Sequence, residues 1–386
     1  MDCSNPKRSA AAVPRLPEDA VLDILERLPV RSIHRFSCVS QRWCDLIADP
    51  VHRKRFPQTL EGFFCSDAEN YFCGEFISLP GITAPLLDPS LSFLTKLPRN
   101  KNIKLLHSCN GLLFEHGNGK LGYIVCNPAT EQWMAVPSAG WPSPNDCAPT
   151  YIVFDPAISL HFHLFNFRQN DYLGVIEART FSSEARVWIN CTSKQGQWQE
   201  GGGWKQWLKG RATFMGNTFV NGMLHFIVFH RGMEKYQIAG VGWEGKTCRV
   251  ISWPDKHGSS ALFLGQSQGH LYCMSGYQEG SGFYQSGISI WVLQDYDTEE
   301  WVLKHNVSFL KLFGQYKCRM HVDYNVVAIH PDCNWVFLVQ HCNRKLIAYD
   351  MDSKKVHALR TFRHPYGLCT PYIPYYSELS ALPNKH

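Results

Sequence analysis

Residues 110–137, NGLLFEHGNGKLGYIVCNPATEQWMAVP, carry the pattern on which the fold turns. Asn110-Gly111 opens it, and Asn-Gly is the strongest short hairpin signal because both central residues of a type I′ turn need positive φ. The strand-like run at Leu112-Leu113 follows, then Tyr123-Ile124-Val125-Cys126, the turn Asn127-Pro128-Ala129-Thr130, and finally Trp133 and Pro137. Later stretches echo this order. Thr247, Val250 and Pro254 keep the offsets of Thr130, Trp133 and Pro137, while Thr298 with Trp301, and Ser353 with Val356, keep the first of them.

Taking Trp133, Trp198, Val250, Trp301 and Val356 as equivalent gives intervals of 65, 52, 51 and 55 residues. A period of about fifty is that of kelch-type propeller blades, each a four-stranded sheet. Asn221-Gly222 and Gln268-Gly269 also precede Leu-bearing strands, whereas the last repeat has Asn334-Trp335 instead. Five blades are predicted at about 103–137, 150–200, 211–254, 260–305 and 323–362, with the repeat tryptophans filling the gaps between sheets. Residues 59–100 and 365–386 remain. Pairing strands from the two chain ends would remove open edges, which predicts a sixth, composite blade; seven is the next count.

Ahead of the repeats stands LPEDAVLDILERLPVRSIHRFSCVSQRWCDLIADPVHRKRF, residues 16–56. Val21, Leu22, Ile24, Leu25 and Leu28 recur at helical spacing, predicting a helix from about Glu18 to Arg27 between Pro17 and Pro29. A second short helix would carry Ile33 and Phe36. A third would begin near Ser40, bury Val39, Trp43, Leu46 and Ile47, and end at Asp49-Pro50. A unit of about forty residues is marginal without a staple or a partner, so an obligate protein partner is the economical reading.

The residues Leu16-Pro17-Glu18-Asp19, Ile24-Leu25, Leu28-Pro29-Val30, Val39-Ser40 and Trp43 resemble an F-box. The resemblance implies docking on a Skp-type adaptor, and through it a cullin-RING ubiquitin ligase, by Leu16, Pro17, Ile24, Leu25, Leu28, Pro29, Val30, Ile33, Phe36, Val39 and Trp43. Where many F-boxes have Lys after Val-Ser, this chain has Gln41-Arg42. The pattern SCNGLL followed by CNPATEQW, placed after such a box, resembles the F-box-associated interaction domain of plant F-box proteins. The expected organisation is a lead without fixed structure at 1–15, a small all-α three-helix F-box at 16–56, and an all-β propeller at 59–386.

Composition agrees with a sheet-rich chain: 18% of residues are charged, below the usual quarter, and 13% are aromatic. The net charge of +5 over 386 residues is mild. The one short basic cluster, His52-Arg53-Lys54-Arg55, makes no stripe of the kind nucleic acid requires. There is no apolar run long enough for a signal peptide or a membrane helix, which sets the expectation of a soluble intracellular protein in cytoplasm or nucleus. Fifteen cysteines without C-x-x-C are accordingly expected as reduced thiols, and the sequons at Asn190 and Asn306 as chance matches.

Residues that could carry chemistry do not assemble into a motif. His161 and His163 fall on one face of an expected strand, with no third and fourth ligand at metal-site spacing. Gly117-Asn118-Gly119-Lys120 lacks the phosphate-loop spacing and reads as a hairpin turn, and Gly201-Gly202-Gly203-Trp204 reads as an inter-blade loop. No cysteine has a local nucleophile signature. No cofactor is expected. The function expected is therefore substrate recognition within an SCF-type ligase, with no catalytic step in this chain. Its rival is an enzyme or small-ligand receptor with a site at the central channel, since fold alone does not decide. Within a blade, the 1–2 and 3–4 turns share one face and the other connections share the opposite one. The latter are longer and aromatic-rich, which makes Trp141, Trp204, Trp207 and Tyr284 candidate substrate contacts.

Overall fold

The computed structural model describes residues 16–28, 32–33, 36, 39–48, 52, 59–67, 73–80, 87–95, 104–116, 122–140, 149–170, 174–191, 211–230, 233–245, 247–254, 260–278, 284–319, 321–363 and 366–385. Two compact units divide the chain, Met1–Gln58 and Thr59–His386. The N-terminal lead at 1–15 lies outside the described residues.

In the first unit, helix α1 (Glu18–Glu26) starts after Pro17, whose φ of −56° suits the position before a first turn. Helix α2 (Gln41–Ala48) starts after Ser40, whose Oγ accepts the Trp43 N–H at 3.3 Å. Ser32, Ile33 and Phe36 between them are helical. Val21, Leu22, Leu25, Ile33, Leu46 and Ile47 form the core, with Leu28, Phe36 and Trp43 packed on it.

The second unit is a six-bladed β-propeller. Blade 1 comprises β3 (Lys104–Cys109), β4 (Leu112–His116), β5 (Tyr123–Asn127) and β6 (Gln132–Val136). Blade 2 comprises β7 (Thr150–Val153), β8 (His163–Asn170), β9 (Gly174–Ser182) and β10 (Val187–Asn190). Blade 3 comprises β11 (Arg211–Val220), β12 (Met223–His230), β13 (Lys235–Gly242) and β14 (Cys248–Ser252). Blade 4 holds β15 (Ser260–Ser267), β16 (His270–Tyr277), β17 (Gly287–Asp295) and β18 (Glu300–Ser308). Blade 5 holds β19 (Tyr324–Ile329), β20 (Trp335–Gln340), β21 (Lys345–Asp350) and β22 (Lys355–Thr361). Within each, the strands follow chain order as an antiparallel meander.

The closing blade is composite, as the leftover ends predicted. Its described strands are β1 (Gly62–Asp67), β2 (Cys73–Ser78) and β23 (Tyr366–Tyr372), in the order β2-β1-β23. β23 packs against β3 and β19, so the C-terminal part of the chain supplies the blade's innermost strand. Cys65 and Cys369 face each other across that pairing, their sulfurs 2.9 Å apart. A second closure follows: β24 (Asn384–Lys385) adds to the outer edge of blade 1 beside β6.

Among the described residues, the propeller core divides into six apolar clusters, one at each contact between neighbouring blades. Each middle strand is covered on both sides, which is why β12, β16 and β20 read as continuous apolar runs rather than alternating ones. Consecutive residues of β1 show the principle, since side chains alternate along a strand. Phe63 points to blade 5 and meets Phe337 with ring centroids 4.9 Å apart, while Phe64 points to blade 1 beside Leu105, Leu113 and Ile124.

The turns obey the expected chemistry. Asn110 and Gly111, Asn221 and Gly222, and Gln268 and Gly269 all have positive φ at both positions. Gly111 is required twice over, because a Cβ there would lie 2.3 Å from Tyr375 Cβ. Four of the 3–4 turns share a second device: Glu131, Arg186, Glu299 and Lys354, each directly before the fourth strand, have φ between 56° and 58°. Asn127, Asp295 and Asp350 open three of these turns by accepting backbone N–H groups two residues on.

That shared turn corrects the repeat anchors. Aligning the blades on it makes Trp188 and Cys248, not Trp198 and Val250, the partners of Trp133, Trp301 and Val356. The second blade hid its anchor because its turn, Ser182 to Arg186, has Ser where the first, fourth and fifth blades have Asn or Asp. Trp198 lies outside the described residues. The anchors lie on fourth strands, so they are less buried than the blade core expected, although Trp133 and Trp301 do pack against the clusters between neighbouring blades. Trp133 and Trp301 are half-buried and Val356 is exposed. Trp188 and Trp301 tie neighbouring blades through Nε1, which donates to Pro137 O at 2.8 Å and to Ser252 O at 3.1 Å.

Candidate functional site

Two surfaces bear on function, one in each unit. On the first, α1 turns Val21, Leu22 and Leu25 inward, leaving Ile24 45% exposed on its outer face. Leu16 is 55% exposed and Val39 62%. Val39 was expected inside, but it falls in the turn before the Ser40 cap, ahead of the helix face that carries Leu46 and Ile47. Leu25 and Ile33, expected at the adaptor interface, are instead fully buried in this unit's own core, since they share the inward side with Leu22 and Leu46. Leu28, Phe36 and Trp43 are half-buried, with the Phe36 and Trp43 rings stacked at 5.0 Å. Pro17 is exposed, while Pro29 and Val30 lie outside the described residues.

Beside the exposed apolar positions is a cleft of about 340 Å³ lined by Glu18, Arg42, Asp45, Leu46 and His52. Arg42 reaches Glu18 at 4.0 Å across it, with both side chains more than half exposed. Such a pair adds little stability, and it leaves the guanidinium at the surface next to the Val39-Ser40 corner.

On the propeller, Trp141, Trp204 and Trp207 lie outside the described residues, and Tyr284 is the one proposed substrate contact that can be placed. It is 48% exposed, at the end of the 2–3 connection of blade 4, with the Arg319 guanidinium 5.3 Å above its ring. Arg319 comes from the connection between blades 4 and 5. That segment begins with a short helix, α3 (Phe309–Phe313), capped by Ser308 Oγ and ended by Gly314 at φ 72°. Its far end is bolted down: Gln285 and Cys318 exchange backbone hydrogen bonds of 2.9 and 3.0 Å, and Tyr324 donates its hydroxyl proton to Gln285 Oε1. Burial pushes the Cys318 thiol up to about 11 and the Tyr324 hydroxyl well above its usual range. Both are packing groups. The platform so held presents Tyr316, 76% exposed, with Leu310 and Val322. The sequence marked this segment only by its length; Tyr316 and Arg319 were not singled out, and no motif flags them.

The histidine pair expected on one strand is separated by the strand's start. β8 begins at His163, which lies edge-on to Trp243 at 5.4 Å, and His161 precedes it. Among the described residues, no group of three or more His, Cys, Asp or Glu could hold a metal ion. No helix among them is long and apolar enough to cross a membrane.

Comparison with known proteins gives these two units a family. Residues 13–55 match the F-box domain, and residues 63–364 match the F-box associated beta propeller domain. The chain therefore belongs to the F-box associated beta propeller family, with an F-box ahead of the propeller. It is similar to F-box protein At5g49610 of Arabidopsis thaliana, at 25% identity over 88% of this chain and 89% of that protein. F-box protein At5g07610 of the same plant is 23% identical over 80% of this chain and 74% of its own length.

Proposed function

We propose that this chain is the substrate-recognition subunit of an SCF-type ubiquitin ligase, working in the cytoplasm or nucleus. The observation that carries the reading is the pairing of an F-box, with Leu16, Ile24 and Val39 exposed outside an already formed apolar core, with a propeller offering a long-loop face. Exposed apolar side chains on so small a unit favour a standing protein partner, and a Skp-type adaptor is the partner an F-box implies. Leu16, Pro17, Ile24 and Val39 would make the contact, joined by Leu28, Pro29, Val30, Phe36 and Trp43, while Leu25 and Ile33 support the surface from beneath. The propeller would hold a target protein on the face that carries Tyr284, with Trp141, Trp204 and Trp207 as further candidate contacts from the sequence. The chain's contribution is then effective concentration, since tethering makes ubiquitin transfer nearly intramolecular, and the chemical step belongs to other subunits.

Ile24→Glu tests this directly. A charge at an exposed position leaves the core intact, so the variant is expected to fold and melt like the parent while losing co-purification with a Skp-type adaptor by at least about tenfold, as removal of an interface anchor does. Undiminished adaptor binding by Ile24→Glu and by a Leu16→Ala/Pro17→Ala double variant would overturn the assignment.

A further inference from the structure

Among the described residues, the long-loop face of blades 4 and 5 is strongly one-signed. Its described connections carry Lys311, Lys317, Arg319, Arg344 and Arg363, all exposed, against Asp323 as their one carboxylate. Asp323 is committed to Arg319, whose backbone N–H it accepts at 2.7 Å and whose Nε lies 3.9 Å away. The turns on the opposite face of the same blades have the reverse balance, with Asp297, Glu299, Asp332 and Asp352 against Lys354. The platform is also held in place between connections. Phe309 N donates to Ser286 O at 2.9 Å, His341 N to Asp323 O at 2.8 Å, and Arg344 Nη1 to Arg363 O at 2.8 Å. Among these cations stand the exposed apolar side chains of Tyr284, Leu310, Tyr316 and Val322.

From this we infer that the face is a docking site for an Asp- and Glu-rich segment of a partner protein that also carries an apolar side chain. The charge difference between the two faces supplies the choice of side and of partner, because complementary potentials steer encounter and like charges reject it. Tyr284 and Tyr316 supply rigid surface that loses little conformational freedom on binding. The inference rests on the propeller's being a receptor for protein and adds the class of sequence it takes.

Selection of random dodecapeptides displayed on phage against the full-length chain tests it. The enriched peptides are expected to carry several carboxylates with an aliphatic or aromatic residue. Their affinity should fall about tenfold between low and physiological salt, and about tenfold or more in Lys311→Glu/Lys317→Glu. These lysines are exposed, so the variant should melt like the parent, and Asp297→Lys/Asp352→Lys on the other face should leave binding unchanged. Enrichment of neutral or basic peptides, enrichment that survives the charge reversal, displacement by a DNA duplex at equal charge, or no enrichment would each overturn the acidic class. Peptides of other composition lost on Tyr316→Ala would still leave the propeller a protein receptor. Adaptor binding by the same preparation tests the ligase reading separately.

Discussion

Ring closure depends on two adjacent phenylalanines, and their removal measures it. Phe63 and Phe64 are both fully buried, one in the cluster shared with blade 5 and the other in the cluster shared with blade 1. Phe64 also meets Phe76 at 4.9 Å and Tyr372 at 5.0 Å, both edge-on. Truncating a buried Phe to Ala costs about 3 to 5 kcal/mol, part of it the cavity left behind. The lost edge-on pairs put Phe64→Ala toward the upper end, at about 0.5 to 1.5 kcal/mol a pair. Against a total stability of about 5 to 15 kcal/mol, either change removes about a fifth or more. Urea unfolding followed by tryptophan fluorescence should show each midpoint lowered with the slope unchanged, and Tm lowered by at least about 5 °C. Because the two rings face different interfaces, the double variant is expected to lose the sum, and will be barely folded. A loss under about 1 kcal/mol for either single change would mean that the closing blade is not packed on that side.

Gln132 anchors the C-terminal segment, donating to Leu379 O at 3.2 Å and Leu382 O at 3.1 Å and accepting from Leu379 N at 2.8 Å. Gln132→Ala should cost about 1 to 3 kcal/mol by leaving buried backbone groups unpaired and should speed proteolysis after residue 372; unchanged protease resistance would refute the anchoring role. Acid should destabilise the propeller in two windows. Burial pushes His107 and His225 down to about 4 from the ordinary 6.5, so between these values the unfolded chain binds protons that the folded one does not, and stability is present above pH 6.5 and lost toward 4. Asp88 is held near 2 by hydrogen bonds from Ser90 and Ser92, so its stabilisation is lost only below the usual carboxylate range. Urea midpoints at pH 7 and pH 5 should therefore differ, and a flat profile would refute the buried neutral histidines.

Local chemistry in the chain determined much of this protein. Asn-Gly turns fix hairpins through backbone sterics alone, so Asn110-Gly111, Asn221-Gly222 and the Gln268-Gly269 variant located the first hairpins of three blades, and the spacing of repeats located five sheets. Composite closure was legible too, because leftover strands at both ends have to hide their edges. The helical period and its two prolines located α1. Burial was not legible where it depends on neighbours. Trp133 and Trp301 looked like core because they are large, yet they sit on fourth strands near the rim of the propeller, where each is only half-buried against its inter-blade cluster. Leu25 and Ile24 are adjacent and similarly apolar, and only the placement of α2 turned one inward and left the other on the surface. The pairing of Gln285 with Cys318, which steadies Arg319 over Tyr284, joins residues 33 apart across two blades. No local signal reports such a contact. The positive charge of that face likewise exists only after folding, since Lys311, Arg344 and Arg363 are scattered through a nearly balanced sequence and the propeller gathers them by sending every second connection to the same side.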